Sequence, residues 1–312
     1  MQKRSGAKSY FLLILKGLGM GAADVVPGVS GGTIAFITGI YTELVDSLRS
    51  FDISALRMLF KANFAGFWKE INGNFLLALF SGILVSVFSL ARLMQYLLVN
   101  YPVMVWSFFF GLVLISGFIV LKKISRWNFS SLTALVSGII VMVFITKFTP
   151  AETTEAYWFI FLSGAIAICA MILPGISGAF ILLILGKYQF ILQAISTMDI
   201  PVLAVFGAGV IIGLLSFANL LSWLLHRFHD VTIAVLSGFI IGSLNKIWPW
   251  KETLSSTVDS HGELLPLIQR NISPGKFAEL TGTDSMFLPA VSLFVAAILF
   301  VLVLERLALK VK

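Results

Sequence analysis

Serine, threonine and glycine placed just after a proline, inside apolar sequence, are the residues of this chain whose types and spacing suit anion binding. They occur as Pro27-Gly28-Val29-Ser30-Gly31-Gly32-Thr33 and again as Pro174-Gly175-Ile176-Ser177-Gly178-Ala179-Phe180. Proline lacks an N–H and pushes the preceding residue out of the helical region, so each copy interrupts a helix. The Ser and Gly residues that follow suit a helix start, where backbone N–H groups lack intrahelical partners. In hydrocarbon such donors are tolerated only where they face protein, water or a ligand. Ser30, Gly31, Gly32, Thr33, Ser177 and Gly178 are therefore the expected binding residues for a phosphate or carboxylate, through N–H groups and hydroxyls at positive helix ends. In a single copy, Gly and Ser equally serve close helix packing. Two facing copies favour a site.

Charged residues within apolar segments form the second set. Lys16 and Arg92 each stand in such a segment, where a charge costs roughly 2.5 kcal/mol or more and usually faces a cavity or partner. A guanidinium suits phosphate well; the plainer reading of Arg92 is snorkelling to the interface. Asp24 precedes the first motif where the second has Met171. A carboxylate there suits a coupling proton or a basic partner, and equally a wetted helix end. Glu43 is the other coupling candidate, although it and Asp46 lie near a helix end where water solvates them. Cys169 is the single cysteine, and His226, His229 and His261 fall in loops. With no nucleophile–base pair, phosphate-cradling Gly-rich loop or metal-ligand spacing, neither an enzyme nor a metal or other cofactor is expected.

The elements that carry these residues follow from composition. Of 312 residues 58% are hydrophobic and 12% charged, and mean hydropathy is +0.98. That describes a polytopic, all-α membrane protein. The net charge of +7 reads as loop lysines and arginines under the positive-inside rule, not as a nucleic-acid surface. The basic start, Lys3 to Lys8, leads straight into the first motif and is read as retained fold rather than a cleaved peptide. Residues 10–25 reach roughly 24 Å, short of a ~30 Å hydrocarbon core. With a second helix over 29–48 they form a hairpin (10–48), re-entrant or fully crossing; charge does not separate the two. Residues 49–74 are amphipathic and interfacial, and spans follow at 75–98, 103–121 and 131–147. The second half repeats the layout with a hairpin at 158–195, spans near 201–225, 230–246 and 287–307, and a polar insertion at 247–286.

Matches between the halves continue past the motifs: Gly39 and Tyr41 with Gly186 and Tyr188, Gly82 with Gly209, Gly111 with Gly238, Ser116 with Ser243, and Arg92 with Asn219. Residues 1–150 and 151–312 are thus read as two repeats. Loop lysines and arginines put both termini in the cytoplasm. Three net crossings per repeat then make the two inverted, each a re-entrant helical hairpin plus three transmembrane helices. Inverted repeats with broken helices are the layout of secondary transporters.

The stretches Ala22-Ala23-Asp24-Val25-Val26-Pro27-Gly28-Val29-Ser30-Gly31-Gly32-Thr33 and Ile172-Leu173-Pro174-Gly175-Ile176-Ser177-Gly178 resemble the PopT family of bacterial polyprenyl-phosphate transporters, formerly a domain-of-unknown-function family. The resemblance covers nearly the whole chain. It implies a multi-pass protein of the bacterial cytoplasmic (inner) membrane that flips undecaprenyl phosphate from the outer to the inner leaflet. Its partners would be that lipid phosphate and membrane lipids, with no nucleic acid; the sequence sets no oligomeric state. In this expectation the phosphate binds between the motif tips, neutralised by Arg92 and Lys16, and rocking of the repeats exposes it to either leaflet, with Asp24 carrying a proton. A transporter or channel for a small water-soluble anion is the alternative. A membrane lipid-phosphate hydrolase fits less well, given the sparse histidines.

Overall fold

The computed structural model describes residues 7–25, 30–147, 153–258 and 264–310. Pro27, Gly28 and Val29 of the first motif, the basic start before Ala7, and His261 lie outside them. Helix α1 (Ala7–Val25) ends at the first motif, and α2 (Gly31–Ile37) and α3 (Tyr41–Arg49) follow it. The single helix expected over 29–48 is thus two. Gly39 separates them with φ +74°, a conformation that costs glycine little and a Cβ-bearing residue much. Across that elbow Phe36 and Tyr41 meet edge to face, 4.7 Å between centroids. The interfacial stretch forms two short helices, α4 (Ile53–Phe60) and α5 (Phe64–Glu70).

Three long helices come next: α6 (Gly73–Asn100), α7 (Pro102–Leu121) and α8 (Phe129–Ile145). Then α9 (Tyr157–Ile172), α10 (Gly178–Ile184) and α11 (Tyr188–Ser196) repeat the long–short–short order of the start. Here Gly186 forms the elbow, φ +64°, and the chain bends by 113°. Helices α12 (Ile200–Arg227) and α13 (His229–Ser243) lead into the polar insertion, and α15 (Phe287–Lys310) closes the chain. The insertion holds an antiparallel hairpin, β1 (Lys251–Val258) and β2 (Leu264–Asn271), then α14 (Pro274–Thr281). These two strands are an addition to the all-helical expectation; Glu252 faces Arg270 in their register, paired at 2.6 Å.

The protein is a polytopic α-helical membrane protein. Among the described residues α7 and α12 are each long and apolar enough to cross a membrane, and the bent pairs α5–α6 and α10–α11 have the length and composition of either a broken span or a re-entrant loop. Helices α8, α9 and α13 and the Phe287–Val303 part of α15 are shorter and apolar. Small residues set the pairing by letting backbones approach. Gly17 and Gly21 of α1 lie on Leu79–Gly82 and Ile83–Ser86 of α6, so the two helices run parallel. Phe161 and Ala165 of α9 lie on Gly209 and Gly213 of α12 in the same sense. Gly238 brings α13 onto α8, and Gly111 brings α7 onto Phe294 of α15. The glycines matched between halves (82 with 209, 111 with 238) therefore occupy corresponding contacts.

Polar contacts define the two ends of the bundle. At one end Asp230 accepts from the Ser125 and Arg126 amides at 3.1 and 3.0 Å, and Asn72 donates to Glu43 at 3.0 Å. At the other, Asn245 donates to Thr146 at 2.8 Å and the insertion packs over α7 and α15 through Val103, Trp250, Ile272 and Ala290.

Candidate functional site

The two motifs meet. Ser30 is extended (φ −126°, ψ 133°) and caps α2 by accepting from the Gly32 amide at 3.1 Å. Its hydroxyl also lies 3.3 and 3.4 Å from the carbonyl oxygens of Leu173 and Met171, just ahead of the second proline. The Gly175 N–H donates to Thr33 Oγ1 at 2.9 Å, and both groups are buried. A Cβ on Gly32 would stand 2.8 Å from the Ile172 carbonyl oxygen, so this contact admits only glycine. Ser30 and Thr33 are each 1% exposed, which makes the contact dry. Losing either partner of such a buried bond costs about 1–3 kcal/mol.

The donors at the start of α2 are already engaged, which corrects the expectation of free N–H groups. Gly31 N–H donates to Asp24 Oδ1 at 2.7 Å, Gly32 to the Ser30 hydroxyl, and Thr33 to the Ser30 carbonyl at 2.9 Å. A dry interior leaves no amide unpaired. Asp24, on the last turn of α1, reaches across the motif and supplies a charge-assisted bond to a positive helix end. The cradle read from the sequence thus holds an anionic oxygen, and that oxygen belongs to the chain. At the second motif Ser177 precedes α10 without a side-chain capping bond, and Gly178 is buried, its Cβ position 2.8 Å from the Ala167 carbonyl oxygen.

The basic candidates separate. Lys16 Nζ donates to the Thr38 carbonyl at 2.8 Å, at the far end of α2, about 12 Å along the axis from Ser30 at 1.5 Å per residue. Lys123 joins it there, donating to the Phe36 carbonyl at 3.1 Å. Cations on the last carbonyls of a helix satisfy its C-terminus, so the structure puts Lys16 in a capping position and away from the motif contact. Arg92 is carried on α6, and its side chain lies outside the described residues. The register of Gly21 on Ile83 and Ser86, continued by one turn, ends α1 level with about residues 87–90 of α6, close to the height of Arg92. Asn219, its match on α12, donates to the Leu215 carbonyl at 2.9 Å. Glu43 is also remote from the motifs; it fastens α3 to Asn72 at the start of α6.

Sequence reasoning missed a polar cluster between α3 and α12. Ser222, fully buried, donates to Asp46 at 2.7 Å and accepts from Arg49 at 3.2 Å, while His226 Nε2 lies 3.7 Å from Asp46. The signal was present as an Asp-x-x-Arg spacing on a helix and a Ser-x-x-x-His spacing on another, but only the fold brings them together. Among the described residues, no three His, Cys, Asp or Glu side chains gather as metal ligands.

Residues 20–265 match the model of a family described as undecaprenyl phosphate translocase-like. A polyprenyl-phosphate transporter of Vibrio cholerae is 51% identical over 302 residues, 97% of this chain and 98% of its own. A polyprenyl-phosphate transporter of Staphylococcus aureus is 33% identical over 255 residues, 76% of this chain and 85% of its own. No solved structure gives a significant match.

Proposed function

We propose that this chain, which belongs to the undecaprenyl phosphate translocase-like family, carries polyprenyl phosphate between the leaflets of the bacterial cytoplasmic membrane and catalyses no chemical step. The lipid phosphate is the substrate that the names of its relatives point to. The observation that carries the reading is the motif contact itself: Gly175 on Thr33 and Ser30 on the Met171–Leu173 carbonyls, beside an α2 start that holds a carboxylate.

In this mechanism Asp24 keeps the place of the substrate phosphate. When the head group arrives, its oxygens take over the Gly31 N–H, and Asp24 leaves that amide and takes up a proton, which preserves the local charge. Arg92, carried on α6 beyond the level where α1 ends, is assigned as the neutralising cation, while Lys16 and Lys123 hold the other end of α2. We read residues 1–150 and 151–312 as inverted repeats with both termini in the cytoplasm. The end with Lys123 and Asp230 then faces the cytoplasm, and the end with the insertion faces outward. Rocking of one half on the other, with the motif contact opening and closing, changes the leaflet that the site faces. The polyprenyl tail stays in the lipid throughout.

The test is translocation of a polyprenyl phosphate across proteoliposome membranes, followed by head-group accessibility. The wild type should move it. Asp24→Asn should keep the bond to Gly31 but lose the dependence of the rate on a pH gradient. Wild-type translocation and gradient dependence in Asp24→Asn would remove the exchange step, and no translocation by the wild type would remove the function.

A further inference from the structure

At the insertion end, two lysines stand apart from the motif contact. Lys251 opens β1; its Nζ is buried with no hydrogen-bond acceptor and lies 3.8 Å from the centre of the Trp106 ring on α7. Lys246, in the turn after α13, holds its Nζ 4.6 Å over the ring of Phe180, in the first turn of α10. Among the described residues neither lysine has an acidic partner; the nearby Glu252 pairs with Arg270. Burial pushes both ammonium groups below their usual pKa, and the charge of Lys246 pushes Lys251 further down. A buried ammonium without an acceptor is costly, and a second cation beside it adds to the cost. Aromatic faces offset part of that cost. Lys123 at the opposite end is different: it sits over Phe36 at 5.3 Å and is bonded to that residue's carbonyl oxygen.

The same end of the bundle holds an apolar cleft whose walls include Ser107, Phe110, Trp248, Trp250, Phe287 and Phe294. Trp250 adjoins Lys251 in sequence and Ser107 adjoins Trp106, so the segments that carry Lys251 and its aromatic partner also contribute to the cleft. The Trp248 and Trp250 indole N–H groups donate to the Ile272 and Ser285 carbonyls at 2.9 and 2.8 Å. Their rings are thus left to line the cleft as carbon. Unpaired cations next to a carbon-lined slot match a ligand with an anionic head and an apolar chain.

We propose that Lys246, Lys251 and this aromatic cleft form a docking site for the phosphate and first isoprene units of a prenyl phosphate, where the lipid is taken up before it reaches the motif contact. Lysine serves here as a point charge for a phosphate monoester. Because Lys246 rests on Phe180, three residues after Ser177, occupancy bears directly on the second motif. The inference rests on the lipid-phosphate reading above and adds where the head group first binds.

The experiment uses the full chain in nanodiscs, with thermal-shift titration of geranylgeranyl phosphate, geranylgeraniol and inorganic phosphate. The wild type should respond to the prenyl phosphate and not to the alcohol. Lys251→Met and Lys246→Met should each weaken that response at least tenfold, and the ligand-free midpoint of Lys251→Met should stay level or rise, since an unpaired buried charge is gone. Trp248→Ala should weaken the prenyl phosphate and leave inorganic phosphate unaffected. Wild-type affinity in both lysine variants overturns the proposal, and so does inorganic phosphate binding as tightly as the lipid. A Gly32→Ala arm separates the two readings. If it alone impairs translocation while the lysine variants bind normally, the docking site falls and the motif reading stands. If the lysine variants alone are impaired, the reverse holds.

Discussion

Replacing Gly32 by alanine adds one methyl group at the place where the two motifs touch. The new Cβ would stand 2.8 Å from the Ile172 carbonyl oxygen and 3.1 Å from the Ser30 hydroxyl. The first neighbour is backbone just ahead of Pro174 and cannot rotate away; the second is the cap of α2 and bridges to the facing carbonyls. Either the motifs separate or the Ser30 cap is lost. Overpacking of this kind costs about 1–3 kcal/mol, which lowers the population of the closed contact roughly 5- to 150-fold. The matched control is Gly207→Ala, on α12, where a Cβ meets nothing within 4 Å; it should gain about 0.5–1 kcal/mol of helix stability and leave transport unchanged. Initial translocation rates in proteoliposomes, normalised to reconstituted protein, read both variants. A Gly32→Ala protein that transports at the Gly207→Ala rate would refute the idea that close approach of the motifs is part of the cycle.

Thr33→Val keeps the shape but strands the buried Gly175 N–H, so the thermal midpoint should fall by an amount equivalent to about 1–3 kcal/mol, measured by differential scanning fluorimetry; no change would mean the bond is not made. Lys251 gives a pH prediction. Burial, and then the charge of Lys246, hold its folded-state pKa well below that of a free lysine, so the unfolded chain binds more protons between the two values, and stability should rise with pH across that window. The slope should vanish in Lys251→Met, and a slope retained in that variant would assign it to another group. Ser222→Ala removes the hydroxyl that joins Asp46 to Arg49 and leaves two charged groups to repack, so α3 should loosen from α12. Faster amide exchange confined to α3 reports this, and unchanged protection there would contradict it.

The long helices were legible because twenty or so apolar residues between charged or Pro-Gly boundaries admit one reading; the spans expected at 103–121 and 201–225 appear as Pro102–Leu121 and Ile200–Arg227. The elbow at Gly39 was marked by its match with Gly186, yet an apolar run reads as continuous helix unless φ is known. The β1–β2 hairpin escaped because its residues are polar and mixed, with no sustained alternation. The occupied cradle was hidden for a different reason: Asp24 and Gly31 are separated by the proline break, and only the folded chain shows that one returns to the other. Lysines 246 and 251 flank Ile-Trp-Pro-Trp, a pattern that reads as an interfacial belt. Their burial depends on Trp106 and Phe180, which are distant in sequence.

A structure of the protein in lipid nanodiscs with a polyprenyl phosphate bound tests the central claim most directly. The phosphate should lie within hydrogen-bond distance of the Gly31 amide, with the Asp24 carboxylate moved off that amide. A phosphate bound remote from both motifs throughout the transport cycle, with Asp24 still on Gly31 in every state, would contradict it.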